Sequence, residues 1–289
     1  MEEKLVSRRG FIMGAAAAAT GVALLGSPIA LAAEGDPLPP MGQWPYTPLD
    51  PDAVGLAAKN PAAGIAGCGG KSAAAMILAL RAALPDSPWH QLPVNIGIYA
   101  NGGGPYGATC GGVAGPFFIM SLVGRLVGDT WAKAGEQLGT QFHKWYCDFA
   151  FPTTEWDDAF TIKDTVTSVS GSPLCHESRS QWENTYLRQW DRESTYDDTR
   201  CTKLPMDTTK KAVQMLNDWY LGTLPAAWAA DSDYATCYTC HTTLNTKHEV
   251  GAIHPSQKEN CNNCHTVTSK HAKSGPAAVK PTRKPTTVK

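Results

Sequence analysis

The chain has 289 residues, of which 43% are hydrophobic and 18% are charged, and its formal net charge is −1. This length accommodates one good-sized domain and a smaller module, and the composition is too mixed for a membrane-embedded helical bundle. Residues 237–289 are basic, but the sequence shows no basic helix or interleaved aromatic platform, so we expect no nucleic-acid partner.

The N-terminus has the layout of a twin-arginine export signal. Arg8-Arg9 precede a mild apolar run, residues 14–30, that leads into Ala30-Leu31-Ala32. An uncleaved anchor helix is the alternative, but glycines and Pro28 interrupt the run. We therefore expect residues 1–32 to be removed and the protein to be periplasmic. No later stretch reaches the roughly 18 unbroken apolar residues of a membrane span, so none is expected after signal removal.

Residues 33–235 predict a mainly α, cysteine-containing body, because helical patterns recur and strand-like alternation is scarce. The proline-rich segment 36–61 is expected to be an extended arm, residues 101–112 a glycine-rich loop and residues 221–235 a linker. Ser72 is the predicted cap of the first strong helix, and Pro85 ends it. Helices are predicted over 72–84, 116–127, 130–146 and 208–220.

Two short motifs near the C-terminus predict covalent haem attachment. They are Cys237-Tyr238-Thr239-Cys240-His241 and Cys261-Asn262-Asn263-Cys264-His265. Two thiols at this spacing reach the vinyl groups of one porphyrin, and the adjoining imidazole of His241 or His265 becomes the proximal iron ligand. Zinc ribbons also use paired cysteines, but they have no need of a histidine after each pair. The motifs predict two haems c per chain.

The sixth ligands of the two irons are expected to be histidines. From Cys237 onward the chain contains no methionine, but it contains His248, His254 and His271 in addition to the proximal residues. His143 and His176 in the body are reserves. Ligation by two histidines favours low-potential electron transfer. We expect residues 236–272 to form a dihaem segment of little regular structure, too short to bury two porphyrins alone, and 273–289 to be a disordered Lys/Pro-rich tail.

Five further cysteines lie in the body: Cys68, Cys110, Cys147, Cys175 and Cys201. Disulfides are the default in an exported protein, but an odd number leaves one thiol over. An iron–sulfur cluster on four thiolates is the alternative, and their spacing does not decide between the two. The export route favours the cluster, because twin-arginine export carries folded proteins, often with a cofactor already loaded.

The pattern around four of these cysteines resembles a known family. Gly67-Cys68, the segment Gly107-Ala108-Thr109-Cys110-Gly111-Gly112, Cys175, and Cys201 before a predicted helix resemble the family named for its C, GC, AxxG, C and C motif. With the appended haem motifs the chain resembles the split-Soret cytochromes c within that family. The resemblance implies a homodimer with four haems at one end, sixth ligands supplied across the interface, and a [2Fe–2S] cluster on Cys68, Cys110, Cys175 and Cys201. Cys147 falls outside the pattern.

The sequence therefore predicts a periplasmic dihaem cytochrome that exchanges electrons with redox partner proteins and carries an additional iron–sulfur cluster. Two alternatives remain at this point. One is a haem-dependent reductase of a small molecule or metal ion, which needs an open iron position, and the other is a redox sensor. The spare histidines favour full coordination and hence electron transfer over catalysis.

Overall fold

The computed structural model describes residues 38–39, 43–123, 138–161, 166–189 and 199–225. The chain divides into two units, Met1–Leu38 and Pro39–Lys289, and all described residues except Leu38 belong to the second. The described region is 60% helical, which confirms the mainly α prediction. The predicted signal, dihaem segment and C-terminal tail all lie outside the described residues.

Six α-helices are named here in chain order. They are α1 Pro51–Ala57, α2 Cys68–Ala83, α3 Gly111–Val123, α4 Thr140–Asp148, α5 Cys175–Gln189 and α6 Thr199–Tyr220. Short 3-10 helices lie at Pro88–Gln91, Gly104–Tyr106 and Thr154–Ala159. Strands β1, Ala150–Phe151, and β2, Ser168–Val169, pair antiparallel, with Ala150 opposite Val169.

Helices α2, α3 and α6 pack against one another and form the centre of the core. The buried face of α2 repeats at helical spacing, with Ala73, Met76, Ile77 and Leu80 all fully enclosed. Trp89, from the 3-10 helix after α2, lies tilted against Trp44 with ring centroids 4.7 Å apart. Its indole nitrogen donates to the Pro45 carbonyl at 2.8 Å, so the buried polar edge of the ring is satisfied.

The N-terminal arm is not wholly extended as predicted, because residues 51–57 form helix α1. The Asp50 carboxylate accepts hydrogen bonds from the backbone amides of Asp52 and Ala53, and Pro51 occupies the first helical turn. Farther back, the segment is fastened to α6. Asn217 donates to the Leu49 carbonyl at 2.8 Å and accepts from the Tyr46 hydroxyl at 2.6 Å.

Helix starts differ most from the sequence-based expectation. Helix α2 begins at Cys68 after Gly67, and Ser72 is a buried residue whose hydroxyl donates to the Pro205 carbonyl at 3.4 Å, so Ser72 is not the cap. Helix α6 begins at Thr199 and therefore contains Cys201, which was expected to precede the helix. Helices α3 and α6 each contain an internal proline, which sequence rules place at a boundary. Tertiary packing overrides that rule here.

Helix α5 was not among the predicted helices. Its sequence, from Cys175 to Gln189, is polar and lacks a strong apolar stripe, which is why periodicity gives no signal for it. Within the described ranges, no helix combines the length and apolar character needed to cross a lipid bilayer.

Candidate cofactor site

The four cysteines that fit the sequence pattern all lie at or near the start of a helix. Cys68 and Cys175 are the first residues of α2 and α5, Cys110 immediately precedes α3, and Cys201 is the third residue of α6. Unpaired backbone amides and the helix dipole make these termini favourable for negatively charged sulfur. Each of the four thiols therefore lies at or near the N-terminal end of a helix.

The fold brings these cysteines together although 133 residues separate the first from the last in sequence. Cys68 and Cys175 lie close enough to Cys110 for side-chain hydrogen bonding to shift the pKa values of all three. Cys201 is close enough for its charge to act on both Cys68 and Cys175. The cluster of four sulfurs defined by these contacts is called the cysteine cluster below.

Backbone contacts between the loops place the cysteine cluster. The Cys110 amide donates to the Pro173 carbonyl at 2.8 Å, and the Cys175 amide donates to the Ala108 carbonyl at 2.7 Å. These two bonds fix the chain before α3 against the chain before α5. The loops that carry Cys110 and Cys175 are thus held in a fixed position relative to each other.

Glycines leave the sulfur atoms room. A Cβ on Gly111 would lie 2.6 Å from the Cys68 sulfur, and a Cβ on Gly102 would lie 2.9 Å from the Cys175 sulfur. Gly102 also has a positive φ of 76°, which a larger residue rarely adopts. Glycine is therefore required at both positions for the backbone to approach the cysteines.

The thiols influence one another's protonation. Hydrogen bonds from the Cys175 and Cys68 thiols lower the pKa of Cys110, against the opposing effect of its burial. Donating those bonds, together with burial, raises the pKa values of Cys68 and Cys175. Because metal ligation requires every ligating thiol to lose its proton, loading the site with iron would release protons.

A chain of polar groups connects the cysteine cluster to a buried arginine. The Arg200 guanidinium donates to the Ser178 hydroxyl through Nη2 at 2.6 Å, and the Ser178 and Tyr146 hydroxyls are 2.9 Å apart. Tyr146 in turn is close enough to Cys110 for each group to shift the pKa of the other. Nη1 of Arg200 reaches the Cys201 sulfur directly at 3.7 Å. The sequence pattern did not predict these residues. The one feature that could have indicated them is that Arg200 directly precedes Cys201.

The donor set suits iron. Four cysteine sulfurs are the usual ligands of an iron–sulfur cluster, and none of the cysteines in the described region forms a disulfide. No group of three or more His, Cys, Asp or Glu side chains there is already spaced around a metal position. The residues therefore fit the group by the chemistry of their donor atoms.

Cys147 is apart from this set by position. It lies in α4, and its carbonyl accepts a hydrogen bond from the Gly171 amide at 2.8 Å. The two reserve histidines are also engaged with the protein: Nδ1 of His143 lies 2.8 Å from the Gly139 carbonyl oxygen, and Nδ1 of His176 lies 3.1 Å from that of Gly107.

The haem-attachment and sixth-ligand predictions lie outside the described residues, and each remains a prediction. They comprise Cys237, Cys240, His241, Cys261, Cys264 and His265, together with His248 and His254.

One solved structure is similar over most of the chain. It is the split-Soret cytochrome c from Desulfovibrio desulfuricans ATCC 27774, which is described as having a novel iron centre. The TM-score is 0.63 at 23% sequence identity, covering 80% of this chain and 95% of that one. The two proteins share a fold.

At this identity the likeness concerns the fold alone. No family model matches the chain, and no curated protein matches it. The comparisons therefore show a related fold and do not show the family suggested by the cysteine pattern.

Proposed function

We propose that this protein is a periplasmic dihaem cytochrome c that transfers electrons and carries a [2Fe–2S] cluster on its cysteine cluster. The convergence of Cys68, Cys110, Cys175 and Cys201 carries the cluster assignment. The two C-x-x-C-H motifs carry the haem assignment. The fold shared with a split-Soret cytochrome c that has an iron centre supports both.

The cluster would be held by residues from four separate helix starts. When bound, it would supply a one-electron redox centre. The protein's own contribution is to gather the thiols, to place Tyr146 where it lowers the pKa of Cys110, and to bury Cys110 while the other three cysteines stay partly exposed. Hydrogen bonds to cluster sulfurs and limited solvent exposure are the means by which proteins set the potential of such centres.

The haems would be attached through Cys237 and Cys240, and through Cys261 and Cys264, with His241 and His265 as proximal ligands. A homodimer would cover the porphyrin faces, with His254 or His248 as sixth ligands across the interface. Twin-arginine export of the folded chain is consistent with a cluster that is assembled before export. Redox proteins would be its partners.

The test is a metal inventory of the full chain purified after periplasmic expression. We expect two haems per chain by pyridine haemochrome, and in addition two non-haem irons with acid-labile sulfide. Cys110→Ser should remove the non-haem iron and keep the haem. Cys147→Ser is the matched control, since it also removes a body thiol, and it should keep both.

Total iron equal to haem iron in the wild-type protein would contradict the cluster. Extractable haem, or one haem per chain, would contradict the haem assignment. Carbon monoxide should leave the spectrum of the reduced protein unchanged if both irons are fully coordinated, whereas binding would favour a reductase.

A further inference from the structure

Arg200 is a buried cation that lacks a carboxylate partner in the described part of the chain. It is 1% exposed, and no ion pair between it and a described acidic residue is present. Its Nε atom is buried without a hydrogen-bond acceptor in that same region. Burying a charge without compensation costs several kcal/mol, so this arrangement requires an explanation.

The same helix provides a direct comparison. Lys203, one turn further along α6, is equally buried, but its ammonium group pairs with the Asp157 carboxylate at 2.6 Å. Arg200 is also the second residue of α6, where the positive end of the helix dipole disfavours a cation. Of these two buried cations, the one in the less favourable position is therefore the one without a carboxylate.

The contacts of Arg200 lead to the cysteine cluster. Nη1 lies 3.7 Å from the Cys201 sulfur, and Nη2 leads through Ser178 and Tyr146 to the Cys110 sulfur. On another side the guanidinium carbon lies 5.5 Å from the centroid of the Phe151 ring. The aromatic ring contributes a weak cation–π attraction, which does not replace a counter-ion.

We propose that Arg200 is a positioning residue that serves as the fixed counter-charge of the iron–sulfur cluster. The inference rests on the proposed function, because four thiolates carry more negative charge than a [2Fe–2S] core neutralises. A partly buried site with net negative charge favours a nearby cation, and Arg200 supplies one in contact with the Cys201 sulfur. The guanidinium suits this role because it stays charged and its planar fork can address Cys201 and Ser178 together.

Two effects follow for the loaded protein. The fixed positive charge stabilises the more negative, reduced state relative to the oxidised state, which raises the midpoint potential. It also opposes the mutual repulsion of the four thiolates, which slows loss of the cluster. A purely structural Arg200 would affect the free energy of unfolding and leave the potential unchanged.

The experiment compares the wild-type chain with Arg200→Gln, Arg200→Lys and Lys210→Gln. Lys210→Gln is the matched control, since it also removes one positive charge from α6, about 15 Å further along the helix. Lys210 pairs with Asp52 and Glu155, away from the cysteines. Non-haem iron, acid-labile sulfide, the rate of iron loss to a chelator and the midpoint potential by electron paramagnetic resonance are measured for each protein.

In Arg200→Gln we expect the reduction equilibrium to shift at least tenfold toward the oxidised form, about 59 mV for a one-electron couple. Iron loss to the chelator should be at least tenfold faster. Arg200→Lys keeps the charge and should restore most of both values, whereas Lys210→Gln should match the wild type. If Arg200→Gln does not fold, the test rests on folded Arg200→Lys. Its reduction equilibrium and its rate of iron loss must then lie nearer to the wild-type values than to values shifted tenfold.

The outcomes separate this inference from the proposed function. Absence of non-haem iron in the wild type overturns the proposed function, and this inference with it. A wild type that holds iron, together with Arg200→Gln that holds it at the same potential and rate, overturns only the role of Arg200.

Discussion

Buried charged groups of the body differ in how they are neutralised, and the differences are visible residue by residue. Lys203 has Asp157 at 2.6 Å, whereas Arg200 faces sulfur and hydroxyl groups. Asp207 is compensated by hydrogen bonds alone: it accepts from the Thr153 amide at 3.0 Å and from the indole of Trp156 at 2.7 Å. These donors favour the carboxylate, while burial disfavours it.

Burial has the larger effect on Asp207 and raises its pKa above the ordinary value of 3.8. A carboxyl with a raised pKa in the folded state contributes stability that is fully present below 3.8 and is lost as the pH rises through the raised value. Asp207→Asn should lower the free energy of unfolding by about 1–3 kcal/mol, because the Thr153 amide loses its acceptor. Because Asn does not titrate, the difference in the free energy of unfolding between the wild type and Asp207→Asn should be largest in acid and should shrink toward neutral pH.

Urea unfolding of both proteins, from about pH 4 to about pH 7, measures this difference. A wild-type advantage that grows with pH would show that the hydrogen bonds from Thr153 and Trp156 outweigh burial and lower the pKa.

Helix α2 is approached by the loop at Ala100 and by α3 through two backbone contacts that only glycine permits. A Cβ on Gly69 would overlap the carbonyl oxygen of Ala100, and a Cβ on Gly115 would overlap that of Gly69. Gly70, the next residue of α2, has more space around it. A Cβ at Gly70 would have the Ile98 Cα as its nearest neighbour, at 3.1 Å. The approach of the two helices places Cys68 beside Cys110.

Gly69→Ala and Gly70→Ala form a matched pair, because each gains the same helix propensity, about 1 kcal/mol. Gly69→Ala should nevertheless lower the free energy of unfolding by about 1–3 kcal/mol, since backbone must move to admit the methyl group. Gly70→Ala should change it by less than about 1 kcal/mol. The urea concentration at the midpoint of unfolding measures both changes, provided that the free energy of unfolding depends on urea concentration with the same slope in each protein. Equal midpoints for the two variants would contradict the proposed packing.

At the scale of the whole molecule, the proposed dimer follows from the exposed area of the haems. Two porphyrins attached to a short segment, as proposed, would leave apolar faces in water, and burying such area contributes about 25 cal/mol per Å². The segment also contains spare histidines and no methionine. A second copy of the chain can supply both cover and ligands, through an interface with twofold symmetry.

His254→Ala should therefore convert one haem per chain to high spin and weaken the dimer at least tenfold. His271→Ala removes another histidine of the same segment and should change neither property. Sedimentation and the haem spectrum measure the two effects together. A wild-type monomer at micromolar concentration with fully low-spin haems would refute the interface.

The amino-acid sequence by itself determined the helical class, the haem motifs and the choice of four cysteines as candidates. These are local properties: a helix needs suitable neighbours within a turn or two, and haem attachment needs five consecutive residues. The sequence could not identify the cap of α2, because Ser72 lies in the interior, where its hydroxyl donates to the Pro205 carbonyl. The polar helix α5 was also not predicted from the sequence, because packing rather than an apolar periodicity stabilises that helix.

Only the tertiary structure decided that Cys68, Cys110, Cys175 and Cys201 meet, because their contacts join residues far apart in the chain. It also decided that Arg200 is buried beside them. An arginine next to a cysteine in sequence is usually solvated, and burial depends on what the rest of the fold places around it. The sequence therefore specified the candidate ligands, and the packing of α2, α3, α5 and α6 specified their surroundings.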